Sequence, residues 1–160
     1  MNAIRSLLVA ALLLTGCTTA PEQATTPRQA LFGLGERTAE QLTASPPMPR
    51  PAADQVLLLA EPEVDRRLQL DEERVLESLT RALLAVRDGP QVLAWRNAMA
   101  GGGGNNQWRL ESRLDANGPR LRLSDRDLLP YRLRLELHRA GSEVPAWRSE
   151  ITGALDATAL

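Results

Sequence analysis

The second half of the chain alternates apolar and charged residues with a period of two, and this pattern constrains the fold more than any other. The alternation covers residues 107–115 and 131–138, and a shorter stretch carries Trp147 and Ile151. Successive side chains of a β-strand point to opposite faces of the sheet, so the pattern predicts strands with one buried and one solvated face. We expect an antiparallel meander with a hairpin at Asn117-Gly118. The outward positions of its clearest strand are Arg132, Arg134, Glu136 and His138.

A strand and one amphipathic helix precede the alternating region. Residues 55–60 are almost continuously apolar, which favours a strand covered on both faces. Asp71 is placed to cap a helix whose apolar residues follow helical spacing until Gly89-Pro90 stops it. A second short strand at 91–95 would complete a right-handed parallel strand–helix–strand unit. The predicted fold class is therefore α+β, a small mixed or antiparallel sheet with one principal packed helix, preceded by a signal peptide and a disordered tether.

The first seventeen residues have the layout of a bacterial export signal. Arg5 supplies positive charge, residues 7–14 are apolar, and Leu14-Thr15-Gly16-Cys17 ends the segment. This ending resembles the lipobox of bacterial lipoproteins, in which the signal is removed and the cysteine becomes an acylated N-terminus. Cys17 is the only cysteine in the chain, which favours lipidation over an ordinary signal peptide with an incidental cysteine. By the same resemblance, Thr18 in place of an aspartate implies sorting to the outer membrane.

Residues 17–53 are predicted to form a disordered tether between the lipidated Cys17 and the folded domain. Six of the eleven prolines lie in this span, and Thr, Ala and Gln fill much of the rest, which is linker composition. A short apolar patch at 31–34 is interpreted as a transient spot, with docking on the domain or on a partner left open. Residues 36–43 lack a sustained apolar stripe and predict at most a turn or two of helix. The domains are thus a signal peptide at 1–16, the tether at 17–53 and a globular α+β domain at 54–160.

Composition and spacing argue against several classes of function. The formal net charge is −1, which is not the basic balance of a nucleic-acid-binding domain. His138 is the only histidine, so no His/Cys cluster for a metal is evident. The glycine run at 101–104 has neither a lysine nor a following helix to hold phosphate, which favours a flexible loop. We predict no catalytic residue, cofactor, metal or small-molecule substrate, and therefore no enzyme.

The outward side of the meander is the candidate binding surface. The notable positions there are all arginines, and arginine supplies every basic residue of this chain. Such a face would meet an acidic patch on a partner and set orientation and on-rate. The alternative is a solvated sheet face with cross-strand ion pairs. The candidate partner-binding residues are Arg109, Arg113, Arg132, Arg134 and Arg148.

Three features in order along the chain resemble one family. They are Glu61-Pro-Glu-Val-Asp65 after a buried strand, an acidic-capped helix with Leu79 and Leu83, and the ending from Tyr131 to Trp147. Together with the lipobox and the tether they resemble the LpoB lipoproteins, outer-membrane activators of class A penicillin-binding proteins, whose domain is similar to those of TolB and CsgG. That family carries further helical sequence where this chain has only residues 96–106.

The resemblance implies a lipid-anchored regulator of a peptidoglycan synthase. The domain would cross the cell-wall mesh on its tether, dock on the inner-membrane enzyme and favour its active state. Two alternatives stay open: a structural or assembly lipoprotein of a CsgG-like secretion or envelope complex, and a non-catalytic binder of an envelope ligand. Stable oligomers in detergent would favour the former, and an apolar pocket would favour the latter.

Overall fold

The computed structural model describes residues 27–44, 48–96 and 104–157. The predictions for the signal peptide, for Cys17 and for most of the glycine run fall outside these residues. Within them lie two α-helices, two short 3₁₀ helices at Ala52–Asp54 and Arg66–Leu68, and seven strands in one mixed sheet, so the predicted α+β class is confirmed. None of the described helices is long and apolar enough to cross a membrane. The elements are α1 Pro27–Ala44, β1 Val56–Leu59, β2 Glu63–Val64, α2 Glu72–Leu84, β3 Gln91–Ala94, β4 Gln107–Ala116, β5 Leu121–Arg122, β6 Asp127–Arg139 and β7 Pro145–Asp156.

The sheet joins a parallel half to an antiparallel half at β4. β1 pairs in parallel with both β3 and β4, which confirms the predicted strand–helix–strand unit. β4, β6 and β7 then form an antiparallel meander. The short β2 continues along β4 beyond the end of β1. The three long strands of the meander therefore present a broad surface on each face.

The predicted hairpin at Asn117-Gly118 is wrong in its pairing. β5 spans two residues and pairs with β6, and β4 takes β6 as its long antiparallel partner. Leu121 and Leu123 remain 46% and 51% exposed, so they contribute little to the core. Nine residue pairs join β4 to β6, and in three of them an inward leucine of β6 faces the inward row of β4. Leu121 of β5 and the adjacent Leu123 could not offer an apolar surface of this size.

Helix α2 forms as its sequence predicts. The Asp71 carboxylate accepts a hydrogen bond from the Glu73 N–H at 2.8 Å, which satisfies one of the free donors at the helix start. Val75, Leu79 and Leu83 are buried on one stripe. The helix closes at Leu84 because the chain turns through Ala85 towards Gly89-Pro90.

The cap at Asp71 gives a first prediction. Replacing Asp71 with alanine should lower the free energy of unfolding by about 1 kcal/mol, because the Glu73 N–H loses its acceptor. Asp71→Asn is the matched control, since asparagine caps helices about as well as aspartate. Urea denaturation of the two variants measures the difference. Equal losses in both would mean that the charge matters and the cap does not.

Helix α1 lies where the sequence analysis places a tether, and the structure corrects that prediction over Pro27–Ala44. Leu31 and Leu34 of the apolar patch are buried, as is Leu42 further along the helix, so these leucines pack on the domain and are not a transient spot. The buried stripe is completed by Thr38, whose hydroxyl donates to the Leu34 carbonyl at 3.0 Å and is thereby satisfied. The folded part of the chain therefore includes Pro27–Ala44, which lies ahead of the predicted boundary at residue 54.

Helix α1 is held from two sides. The Ser78 hydroxyl of α2 donates to the Leu31 carbonyl at 2.5 Å. On the sheet side, Arg37 Nη1 donates to the Tyr131 hydroxyl at 2.8 Å. One cluster of buried side chains includes residues of both helices and the inward residues of β1, β4, β6 and β7. Both helices thus belong to the core side of the sheet.

Candidate functional site: the outer face of the sheet

Side chains that alternate with the core residues of β4, β6 and β7 share the opposite surface, which we call the outer face. The strand register places its members directly opposite one another. Cross-strand neighbours of this kind lie close enough to interact. From β4 to β6 the opposed pairs are Arg109 with His138, Glu111 with Glu136, Arg113 with Arg134 and Asp115 with Arg132. From β6 to β7 they are Arg134 with Glu150 and Glu136 with Arg148.

The five candidate arginines all lie on this outer face, and each has a carboxylate partner. The predicted alternative, a sheet face with cross-strand ion pairs, describes the observed arrangement. Such exposed pairs contribute roughly 0–1 kcal/mol each. The pairs are Arg109 Nη2 with Glu111 Oε1 at 2.9 Å, Arg113 Nε with Glu63 Oε2 at 2.6 Å, Arg132 Nε with Glu150 Oε1 at 3.1 Å, Arg134 Nη2 with Asp115 Oδ2 at 2.6 Å and Arg148 Nε with Glu136 Oε1 at 2.9 Å.

Sequence reasoning missed Glu63 as a member of this surface. It lies 50 residues before Arg113, and β2 pairs in parallel with β4 so that the two residues are directly opposite. A two-residue strand has no period that a sequence pattern could reveal. The hydrogen bond that Arg113 donates to the Glu63 carboxylate raises the pKa of Arg113, so this cation stays charged.

A second arginine–carboxylate pair lies at the end of β4. Arg67 donates to Asp65 through Nε at 2.9 Å, and Asp65 also accepts from the Ala116 N–H at 3.3 Å. The hydrogen bonds from Arg67 hold the pKa of Asp65 well below its usual range. The ion pair with Arg67 is sufficient to explain this low pKa at a surface turn. We interpret Asp65 as a structural residue that links the segment after β2 to the end of β4.

His138 is the residue whose environment differs most from the prediction. Alternation places it on the outer face as expected, but it is 3% exposed and therefore buried. The guanidinium of the opposed Arg109 lies 5.4 Å from the centre of the Trp95 ring. His138 Nε2 lies 3.6 Å from Glu111 Oε2 and 3.8 Å from Glu136 Oε2. Two carboxylates therefore face the imidazole of the only histidine, although the sequence shows no His/Cys cluster.

An apolar cavity of about 360 Å³ lies on the core side, away from the outer face. It opens between the end of α1, the segment after it and the end of α2. Two cationic residues, Arg50 and Arg87, also line this mainly apolar cavity. A concave apolar surface with few polar groups is the usual form of a small-molecule site. Its apolar lining includes Leu42, Met48, Pro51, Leu57, Leu83 and Val86.

Comparisons with known proteins find only distant similarity in solved structures. No family model matches the chain, and no curated protein matches it. Lipoprotein GNA1162 from Neisseria meningitidis is 11% identical, with a TM-score of 0.44 over 65% of this chain and 85% of that one. Protein XCC0632 from Xanthomonas campestris is 12% identical, with a TM-score of 0.45 over 70% of this chain and 71% of that one.

A third similar structure is a neuraminyllactose-binding hemagglutinin homolog from Helicobacter pylori. It is 14% identical, with a TM-score of 0.38 over 68% of this chain and 67% of that one. Similarities of this size carry no information about ligand or activity.

Proposed function

We propose that this chain is a non-catalytic lipoprotein of the bacterial outer membrane, anchored at Cys17, whose domain docks on another envelope protein. The lipobox ending at Cys17 supports the anchor. The proposed partner, from the resemblance to the LpoB family, is a peptidoglycan synthase of the class A penicillin-binding protein type. Docking would activate that enzyme by binding its active state more tightly than its inactive state.

The outer face is the observation that carries the docking proposal. Its arginines are paired with carboxylates, and two of them remain largely exposed: the side chain of Arg134 is 49% exposed and that of Arg148 is 68% exposed. A partner's acidic groups would exchange with the internal carboxylates, so each contact would add little free energy. Exchange of this kind would set orientation and association rate more than affinity.

The docking proposal predicts that substitutions on the outer face slow association, whereas substitutions elsewhere on the domain do not. Arg134→Gln combined with Arg148→Gln should slow association with the synthase several-fold at low salt, because two steering charges are removed. Arg81→Gln is the matched control: Arg81 is also ion-paired and 43% exposed, but it lies on α2. Surface plasmon resonance between the full-length chain and the purified synthase, at two salt concentrations, measures the rates.

Two outcomes would contradict the docking proposal. Equal slowing by the Arg81 variant would show that total charge matters and the outer face does not. Failure to recover any penicillin-binding protein from an envelope extract, together with unchanged wall synthesis in a deletion strain, would remove the proposed partner.

The cavity favours a second candidate function, the binding of an apolar envelope ligand. Its volume of about 360 Å³ lies within the range of small-ligand pockets. An acyl chain or another lipid tail is the chemical class that such a lining accepts. Co-sedimentation with envelope lipids that Leu83→Glu abolishes, with the exposed Leu84→Glu as the control, would support this function.

A further inference from the structure

Glu111 and Glu136 lie directly opposite each other on neighbouring strands, although like charges in that position repel. Both are partly buried. Each gives one oxygen to an arginine: Oε1 of Glu111 to Arg109 and Oε1 of Glu136 to Arg148, both at 2.9 Å. The second oxygen of each carboxylate, Oε2, faces the same atom, His138 Nε2.

His138 adds an independent observation, because its ring nitrogens are not satisfied. Its side chain is 4% exposed, and among the described residues neither Nδ1 nor Nε2 has a hydrogen-bond partner. The separations of 3.6 and 3.8 Å from the two Oε2 atoms are too long for hydrogen bonds. A buried polar group without a partner is costly, so the arrangement calls for something between the imidazole and the carboxylates.

The spacing suits a metal ion. Zinc bonds to imidazole nitrogen and carboxylate oxygen are about 2.0–2.2 Å long, so tetrahedral ligand atoms lie roughly 3.3–3.6 Å apart. The observed separations come close to this, and all three ligand atoms lie within 4.8 Å of one another. Imidazole with carboxylates suits zinc better than the oxygen-only ligand sets that calcium and magnesium prefer.

We propose that Glu111 Oε2, Glu136 Oε2 and His138 Nε2 form a zinc-binding site that joins β4 to β6 on the outer face. Arg109 and Arg148 orient the carboxylates through their other oxygens, as outer partners of metal ligands do. Because these arginines also offset the carboxylate charge, the site binds zinc more weakly than an all-cysteine structural site. Three protein ligands leave a position for water.

The chain is well suited to a direct test, because it contains one histidine and one cysteine. The full-length chain carrying Cys17→Ser, without a histidine tag and in detergent, leaves no thiol to compete for zinc. Titration with zinc alone should saturate at one ion per chain, shift the ¹⁵N resonances of the single imidazole and raise the Tm. Glu111→Gln and Glu136→Gln should each weaken binding about tenfold or more, and His138→Gln should abolish it.

Glu150→Gln is the matched control, because Glu150 is also on the outer face and paired with an arginine but lies outside the cluster. It should bind zinc as the parent does. Binding that persists in His138→Gln would overturn the proposal, as would imidazole resonances that respond to pH and not to zinc, since His138 would then only pair with the glutamates as a cation. If His138→Gln does not fold, the two glutamate variants decide, because their side chains are 43% and 41% exposed.

Discussion

Replacing Gly35 with valine should lower the free energy of unfolding by about 3 kcal/mol, because the helices α1 and α2 touch at this residue. A Cβ atom at Gly35 would lie 2.6 Å from the backbone oxygen of Ser78 and 3.0 Å from the Cβ of Ala82. A backbone oxygen cannot move aside without shifting α2, so the helices would have to separate. That separation would also strain the hydrogen bond from Ser78 to the Leu31 carbonyl. Urea denaturation of the full-length chain measures the loss.

Gly33→Val is the matched control in the same helix. A Cβ atom at Gly33 would meet nothing within 4 Å. Valine is a slightly better helix former than glycine, so this variant should be neutral or more stable by a few tenths of a kcal/mol. If both valines cost the same, α1 is not packed on α2 and belongs to the tether after all.

The contrast between the two helices explains what the sequence analysis could and could not predict. Helix α2 presents large apolar residues and an aspartate cap, which are the features that helix periodicity counts. Helix α1 makes its contacts through Gly35, Thr38 and Ala39 as well as leucines. Glycine and threonine lower any apolar count, yet glycine permits the close approach and threonine satisfies its own hydroxyl. Helix α1 can therefore be recognised only from its contacts with α2, which the sequence pattern does not reveal.

On the outer face, too, the features set by neighbouring residues in the sequence are predictable, whereas those set by strand pairing are not. Period-two alternation correctly places the five arginines and His138 on one surface, since it depends only on neighbours in sequence. Their partners depend on register: β2 brings Glu63 to Arg113, and β4 brings Glu111 to Glu136. The pairing of β6 with β7 also shifts at Leu137/His138. Alternation therefore predicts which face of the sheet His138 lies on, but it does not predict that the residue is buried.

Replacing Cys17 with serine should change membrane attachment more than any other single substitution. Acyl chains contribute about 0.8 kcal/mol per buried CH₂, and more than one chain is needed for stable anchoring. Serine offers no thiol for acylation, so the chain would keep only the apolar stretch at 7–14, far below the ~20 residues of a spanning helix. Alkaline carbonate should therefore extract the serine variant and leave the parent in the membrane pellet. Mass spectrometry should find the parent shortened by its signal and carrying acyl groups.

Thr18→Asp separates anchoring from sorting, because it leaves the thiol intact. By the resemblance to lipoprotein sorting, this variant should stay acylated and resist carbonate, but move from the outer to the inner membrane in a density gradient. Nine residues lie between Cys17 and the start of α1 at Pro27, so neither substitution changes a described residue. A serine variant that remains in the pellet, with a parent free of acyl groups, would contradict the anchor. Such a result would also remove support for docking on an inner-membrane synthase, since that partner is proposed from the resemblance to a family of lipoproteins.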